Sequence, residues 1–333
     1  KSFQLLTEIG KIKIVEIDGS RIERNLKRKQ KKFLERHNPI KIDHAQEYIE
    51  SDKMQIRIKG HFEEAGGYAK VNRNLAFGLK KLGVDVCIEV LGSQNDLNEL
   101  EVAQLNSLKR KPSRKSIFID SIVPSFSNIS TGKYNVLYTT VESHSVPKQF
   151  IESTNNYNEI WVVSEFCKDI LKKSGVRQDI FVLPDSIDTK LYTDKGDKFK
   201  FRPALNDFVF LSVFGWSYRK GYDVLLKSYL KEFSGKDPVS LLLVSRLNNN
   251  TKQDKVIEKE VDNYIKLYGG DNPPHIVRCS KTIPEYLMPN VYRASDAFVL
   301  FSRGEGFSLT YCEASLCGLP IIGTNCSGQT MFL

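Results

Sequence analysis

The sequence predicts an α/β fold built from two doubly wound sheets of parallel strands. Short runs rich in Val, Ile, Leu and Phe alternate with helical stretches, and they do so in two successive series. Strands that are apolar on both faces and separated by helices are typical of such sheets. Between the two series lies a polar segment that contains Gly196 and Pro203, which predicts a linker.

The predicted strands set the expected domain boundaries. They are residues 54–60, 84–90, 116–122, 134–140, 159–164 and 180–185, followed by 208–214, 240–246, 275–280, 296–302 and 319–322. We therefore expect an N-terminal extension (1–53), a first domain (54–190), a linker (191–206) and a second domain (207–333). The chain begins with Lys1 and stops shortly after a strand, so we expect a fragment whose second domain is incomplete.

Composition narrows the class of protein. The chain has 333 residues, of which 41 % are hydrophobic, enough for two domains with real cores. No apolar run approaches the roughly 18 residues that a membrane span requires, and no signal peptide is visible. The six cysteines form no CxxC pair, which favours reduced thiols over disulfides or a zinc site. A soluble, cytoplasmic protein is expected.

Positive charge is concentrated near the start of the chain. The whole chain carries a net charge of +9, and residues 21–36 hold eight Lys or Arg against two Glu, which is +6. Apolar residues recur there at near-helical spacing, so we predict an amphipathic basic helix. A solvated helix face is the simplest explanation, and peripheral contact with an anionic lipid surface or an acidic acceptor is the alternative. Nucleic acid is not expected, because no aromatic residues are interleaved among the charges.

Residues 296–322 hold the chemistry-bearing pattern. A buried strand (296–302) leads into a Gly-containing loop (303–308) and a helix, which Ser308 is expected to cap and Gly318 to end. Glu305 lies in the loop and Glu313 in the helix. Two carboxylates that accept hydroxyl donors suit a vicinal diol such as a sugar or a ribose. The alternative is a surface charge and a residue that complements the helix dipole.

The string GEGFSLTYCEASLCGLPII resembles the Glu-x7-Glu segment of retaining glycosyltransferases of family four, which have the GT-B fold of two Rossmann-like domains facing a cleft. The resemblance implies that Glu305 and the residues after it contact the donor sugar, and that Glu313 holds the ribose of the nucleotide. The residues after Glu305 are Gly306, Phe307, Ser308 and Leu309. The family most often has Gly at the position of Ser308.

Two further segments resemble the same family. The loop with Gly66 and Gly67 is similar to the family's glycine-rich loop, where absent side chains let a phosphate or an acceptor approach the backbone. Residues 134–191 also follow the family pattern, except that the usual Asn-Gly turn is Asp185-Ser186 here. Glu142 and His144 follow a predicted strand, so both are expected at the cleft on the acceptor side. A surface loop imidazole is the alternative for His144.

Arg219 and Lys220 follow the strand 208–214 and precede a helix. Cations beside a helix N-terminus are unfavourable unless an anion lies between them, which predicts a phosphate site. The segment is similar to the family's phosphate-binding element, with Lys220 in the lysine position and Arg219 assigned the arginine role. The alternative is a pair of solvated loop cations. No Asp-x-Asp follows a predicted strand, so neither a metal ion nor another cofactor is expected.

The leading hypothesis is a retaining glycosyltransferase that uses a nucleoside-diphosphate sugar as donor and a carbohydrate, a lipid-linked molecule or a protein as acceptor. One alternative is a nucleotide-sugar epimerase on the same fold. Another is a sugar-nucleotide-binding or scaffold protein without catalysis. A dehydrogenase is disfavoured, because no strand is followed by GxGxxG with an acidic residue about 20 positions later.

Overall fold

The computed structural model describes residues 54–92, 97, 99–113, 115–123, 132–201, 204–246, 251–279 and 283–333. The predicted basic helix over 21–36 lies outside these residues, as does the rest of the N-terminal extension. None of the helices within the described ranges combines the length and the apolar character that crossing a bilayer requires.

A six-stranded parallel sheet forms the first lobe. Its strands run in the order β2-β1-β3-β4-β5-β6 and are β1 (Gln55–Gly60), β2 (Asp85–Val90), β3 (Ile117–Ser121), β4 (Tyr134–Thr139), β5 (Glu159–Val162) and β6 (Asp179–Val182). Because every pair is parallel, the carboxyl ends of all six strands lie along one edge. The sequence predicted that the last strand of this lobe runs to residue 185, but β6 ends at Val182. Pro184 has no backbone amide that could continue the ladder of hydrogen bonds.

In the described part of the first lobe, the helices that accompany this sheet are α1 (Gly67–Lys81), α2 (Glu99–Asn106), α3 (Lys148–Thr154) and α4 (Glu165–Lys173). Ser164 joins β5 to α4 as an N-cap, and its hydroxyl accepts a hydrogen bond from the amide of Cys167 at 3.3 Å. That cap fixes the turn at the carboxyl edge of the sheet.

The second lobe contains a five-stranded parallel sheet in the order β11-β10-β7-β8-β9. Its strands are β7 (Phe208–Gly215), β8 (Val239–Arg246), β9 (His275–Cys279), β10 (Ala297–Leu300) and β11 (Ile321–Gly323). Its helices are α5 (Tyr222–Glu232), α6 (Thr251–Tyr268), α7 (Met288–Arg293) and α8 (Leu309–Leu316). The two parallel sheets confirm the predicted α/β fold.

Each lobe has its own apolar core, and residues of the second lobe, above all Phe307, pack into the core of the first. Leu211, Leu241 and Leu242 are fully buried in the second lobe, and Ile58 and Ile119 in the first. Phe307 follows β10, yet it packs among the first-lobe residues and is 7 % exposed. Burying a Phe side chain stabilises by about 1.5–3 kcal/mol, so this contact helps to hold the loop after β10 against the first lobe.

Gly221 occupies a position that only glycine fits. Its φ is +69°, and an added Cβ would collide with the carbonyl group of Phe301. Gly215, at the end of β7, has no neighbouring atom within 4 Å of such a Cβ. We therefore expect Gly221→Ala to lower the free energy of unfolding by about 1–3 kcal/mol, and Gly215→Ala to lower it by less. Urea unfolding of both variants measures the difference, and equal losses would contradict the assigned strain.

Candidate functional site

Glu305 is buried beneath two cations from the neighbouring loop. Its side chain lies in the loop after β10 and is 2 % exposed. Lys220 Nζ donates to both carboxylate oxygens, at 2.6 and 2.8 Å, and a guanidinium nitrogen of Arg219 lies 3.3 Å from Oε1. The sequence predicted separate roles for these residues, and the structure places all three in one cluster.

The sheet explains why they meet. β7 and β10 are adjacent parallel strands, so the loops at their carboxyl ends adjoin. Arg219 and Lys220 lie in a 3-10 turn that directly follows β7, and left-handed Gly221 separates this turn from α5. The Arg303 amide donates to the Arg219 carbonyl at 2.7 Å, which fastens one loop to the other. Arg219 also donates to the Gly304 carbonyl, at 2.6 Å.

Glu142 brings the first lobe to this cluster. Its carboxylate pairs with Arg219 at 2.9 Å across the lobe boundary. Burial raises the pKa of Glu142, while Arg219 and Lys220 act in the opposite direction. His144 packs edge-on against Phe166, with ring centroids 6.1 Å apart, and makes none of the cluster's hydrogen bonds among the described residues.

Glu313 lies in a second network, formed by other partners. It is 6 % exposed and accepts hydrogen bonds from Lys70 Nζ at 2.5 Å and from the Tyr292 hydroxyl at 2.7 Å. Lys70 belongs to α1 of the first lobe and also pairs with Glu285, at 2.8 Å, and donates to Tyr192, at 2.9 Å. Glu305 and Glu313 therefore face the same lobe boundary through different ion pairs.

The protonation state of Lys70 follows from its surroundings. Burial by itself lowers the pKa of its ammonium group, but Glu313 and Glu285 outweigh burial, and the net shift is upwards. Lys70 is 7 % exposed. It is therefore a buried cation that two carboxylates share.

The loop from Gly306 to Leu309 presents backbone amides. Within the described part of the chain, the amides of Gly306, Phe307 and Ser308 have no hydrogen-bond acceptor. The predicted capping by Ser308 is wrong: its backbone is left-handed, with φ +73°, and its side chain caps no amide of α8. The predicted left-handed Gly318 is confirmed, with φ +81°.

The glycine-rich loop of the first lobe reaches the start of α8. An added Cβ at Gly67 would lie 3.7 Å from Leu309 Cδ1. Tyr68 directly follows Gly67, and Lys70 lies three positions after that glycine. Neither was predicted from the sequence as a site residue. Both lie just after a Gly-Gly loop at the predicted cleft, and that position could have identified them as candidate site residues.

Asp185 is a further side chain that the sequence analysis noted only as a departure from a family turn. It lies in the loop after β6 and accepts a hydrogen bond from the Tyr138 hydroxyl at 2.9 Å. Burial raises the pKa of Asp185 to about 6, although the hydrogen bond from Tyr138 acts to lower it.

Residues 206–332 match the family described as glycosyl transferases group 1. A mannosylfructose-phosphate synthase from Agrobacterium fabrum is 26 % identical over 152 residues, which are 44 % of this chain and 33 % of that protein. An uncharacterized protein 356 from Sulfolobus islandicus rod-shaped virus 1 is 24 % identical over 198 residues, 55 % of this chain and 49 % of the viral protein. The chain thus spans about a third to a half of the length of these relatives. The family match and the synthase support an enzyme of the glycosyltransferase class.

Solved structures establish the fold. A sucrose-phosphate synthase from Thermosynechococcus elongatus has a TM-score of 0.63 at 16 % identity and covers 84 % of each chain. The pneumococcal O-GlcNAc transferase in complex with UDP and GlcNAc has a TM-score of 0.57 at 11 % identity, covering 85 % of this chain and 86 % of that one. A trehalose-6-phosphate structure from E. coli, bound with UDP-2-fluoro glucose, gives 0.57 at 12 % identity, covering 84 % and 86 %. The chain has the GT-B fold that its motifs implied.

Removing Lys70 should destabilise the protein, because buried Glu313 and half-buried Glu285 lose the cation they share. Breaking a buried pair from one side costs about 3–5 kcal/mol, and we expect Lys70→Met to fall in that range. Lys81→Met, exposed at the end of the same helix, is the matched control. Adding Glu313→Gln to Lys70→Met should recover part of the loss in urea unfolding. A Lys70→Met loss no larger than that of the control would show that the buried network contributes nothing.

Asp185 predicts a defined pH dependence of stability. An unfolded aspartate titrates near pH 3.9, whereas folded Asp185 titrates near 6, so the folded state binds the proton more tightly. The contribution of Asp185 to the free energy of unfolding therefore falls between about pH 4 and pH 6 and is constant above that range. Asp185→Asn abolishes this fall, so the variant should gain stability relative to the wild type across that window. Urea unfolding from pH 4 to 8 tests this, and Asp169→Asn, exposed on α4, should show no such gain.

Proposed function

We propose that the chain is a retaining glycosyltransferase that transfers a sugar from a nucleoside-diphosphate donor to an acceptor held against the first lobe, without a metal ion. The observation that carries the proposal is the buried Glu305 paired with Lys220 and Arg219 at the carboxyl ends of β7 and β10. In open α/β sheets, ligands bind outside these strand ends.

The diphosphate has a site of suitable chemistry. Lys220 and Arg219 supply positive charge, and the amides of Gly306, Phe307 and Ser308 supply donors beside the N-terminus of α8. Their carboxylate partners, Glu305 and Glu142, hold the two cations in place before a ligand arrives. A diphosphate that binds here would replace those carboxylates as the partner of the two cations.

In this proposal Glu313 binds the ribose, so Lys70 must give up its hydrogen bond to Glu313. The carboxylate of Glu313 is occupied by Lys70 and Tyr292, so a ribose diol has to replace at least one of them. Lys70 keeps a second partner, because Glu285 lies 2.8 Å from its ammonium group. The donor can thus displace Lys70 from Glu313 without leaving the cation unpaired.

The chemical step requires stabilisation of the departing diphosphate. Negative charge grows on its oxygens as the glycosidic bond breaks, and fixed cations in a site sheltered from water stabilise that charge most effectively. The leaving phosphate can accept the proton of the attacking hydroxyl, so no carboxylate nucleophile is assigned. Retention of configuration and the absence of a metal requirement follow from the family resemblance.

The comparisons support this class of reaction. The family matched by residues 206–332 is one of glycosyl transferases, and two of the similar structures hold a UDP-sugar analogue or UDP with GlcNAc. An epimerase would convert the donor sugar without a second product, and a binding or scaffold protein would turn over no donor. Products therefore distinguish the three functions.

Lys220→Met and Glu305→Gln should each lower turnover of the nucleotide sugar at least about a hundredfold. Lys220→Met removes a fixed cation that stabilises the departing diphosphate, and such a loss costs about 2.7–4 kcal/mol in the transition state. Glu305→Gln removes the carboxylate that holds Lys220 and Arg219 in place. The assay measures nucleoside diphosphate released from UDP-glucose, UDP-GlcNAc and GDP-mannose, with and without EDTA. EDTA should have no effect.

The controls are Lys172→Met and Glu165→Gln, both exposed on α4, and circular dichroism verifies that every variant is folded. Wild-type turnover in both site variants would refute the assignment of the site. Sugar conversion without release of nucleoside diphosphate would replace the proposal with an epimerase.

A further inference from the structure

Asp185 is held at the carboxyl edge of the first sheet, facing the second lobe. β4 and β6 flank β5, so Tyr138 near the end of β4 reaches the loop after β6. Its hydroxyl donates to Asp185 Oδ1 at 2.9 Å and lies 3.3 Å from the Leu183 carbonyl. Asn74 of α1 donates to the Ser186 carbonyl at 2.9 Å. Tyr138 thus holds the carboxyl group, and Asn74 holds the backbone of the next residue.

Tyr68 lies at the lobe boundary, because its neighbour Gly67 adjoins Leu309 of the second lobe. Its side chain is 40 % exposed in the first turn of α1. Surrounding protein nevertheless raises the pKa of its hydroxyl, and the charged side chains with the largest influence on it are Glu142, Arg219 and Asp185. The aromatic ring is therefore exposed at the boundary, within electrostatic reach of two carboxylates and one guanidinium.

Asp185 lies in a loop tied to α1, the helix whose first residue, Gly67, adjoins Leu309 of the second lobe. It contributes, with burial and Glu313, to the raised pKa of the Cys312 thiol in α8. α8 is the helix that begins just after the amides of Gly306 to Ser308. Tyr68, Asp185 and Glu142 therefore line the first-lobe wall opposite the loop to which the donor is assigned.

The chemistry of this wall suits a carbohydrate. A tyrosine ring offers an apolar face for the C–H face of a sugar, and carboxylates accept hydrogen bonds from its hydroxyls. Among the described residues, only one oxygen of the Asp185 carboxyl has a hydrogen-bond partner, which leaves the other for a ligand.

The charge of this wall restricts which carbohydrate can bind. Arg219 is the one cation among the charged groups that act most on Tyr68, and it already pairs with Glu142. Once a donor diphosphate pairs with Arg219, the negative charges of Asp185 and Glu142 face the acceptor with less positive charge to balance them. Like charges repel, so a phosphorylated acceptor is disfavoured.

We propose that Tyr68, Asp185 and Glu142 form the acceptor subsite, and that it takes an uncharged, hydroxyl-rich acceptor in preference to a sugar phosphate. The inference rests on the proposed transferase function. It sets this chain apart from the similar sucrose-phosphate and mannosylfructose-phosphate synthases, whose names specify phosphorylated sugars.

The test compares each sugar with its own phosphate. Glucose and fructose, and their 6-phosphates, are supplied with UDP-glucose, UDP-GlcNAc and GDP-mannose. Release of nucleoside diphosphate above the rate of donor hydrolysis is measured, and mass spectrometry detects the product. We expect transfer to the neutral sugars with a kcat/KM at least tenfold above that for the phosphates.

Substitutions test whether acceptor binding depends on Asp185 and Tyr68. Asp185→Asn and Tyr68→Ala should raise the KM for the neutral sugar at least fivefold and move the KM for the donor less than twofold. Tyr68→Phe, which keeps the ring, should restore most of the acceptor affinity. Asp169→Asn is the control for the loss of a carboxylate elsewhere.

The inference is overturned if the phosphates are preferred, if no neutral sugar raises release above hydrolysis, or if the variants keep the wild-type acceptor KM. In those cases a donor turnover that still depends on Lys220 leaves the proposed function standing. Absence of any donor turnover would instead refute the proposed function and this inference with it.

Discussion

Pairing of buried charges across the boundary between the two lobes is the constraint on which this site depends. Glu305, Glu313 and Lys70 are each less than a tenth exposed, and an unpaired charge at such a depth would be strongly unfavourable. Each is therefore paired, and the pairs Lys70–Glu313 and Arg219–Glu142 join one lobe to the other. The site is complete only where the lobes meet, so its chemistry and the closure of the molecule are linked.

Close backbone approach makes this closure possible. A Cβ at Gly306 would collide with the Thr140 side chain, and one at Gly304 would collide with the Glu142 carbonyl oxygen. Within the second lobe, a Cβ at Gly328 would collide with the Gly306 carbonyl, and the Gly328 amide donates to the Glu305 carbonyl at 2.8 Å. The glycines on both sides of Glu305 therefore let the loop press against the first lobe, where Phe307 completes the contact.

The same pairs explain how a ligand can bind in a closed site. Under the proposed function, a nucleotide sugar would present diphosphate oxygens to the cations and ribose hydroxyls to a carboxylate, and so would replace protein groups of similar chemistry. Lys70 retains Glu285 when Glu313 is taken, but Glu142 has no comparable second cation among the hydrogen bonds and ion pairs of the described residues. Donor binding should therefore alter the charge on the acceptor side, which couples the two substrates.

The sequence alone was enough to predict the two-series α/β fold and the succession of strands along the chain, because buried parallel strands and intervening helices leave a local pattern of apolar residues. It also predicted Glu305, Lys220 and Arg219 as site residues, since loops at the carboxyl ends of strands adjoin in such sheets. The tertiary structure decided which charges pair. Lys70 and Glu313 are 243 positions apart, and no local pattern encodes a contact between two lobes. It likewise decided the left-handed backbone of Ser308 and the raised pKa of Asp185, because the first depends on packing around the loop and the second on burial.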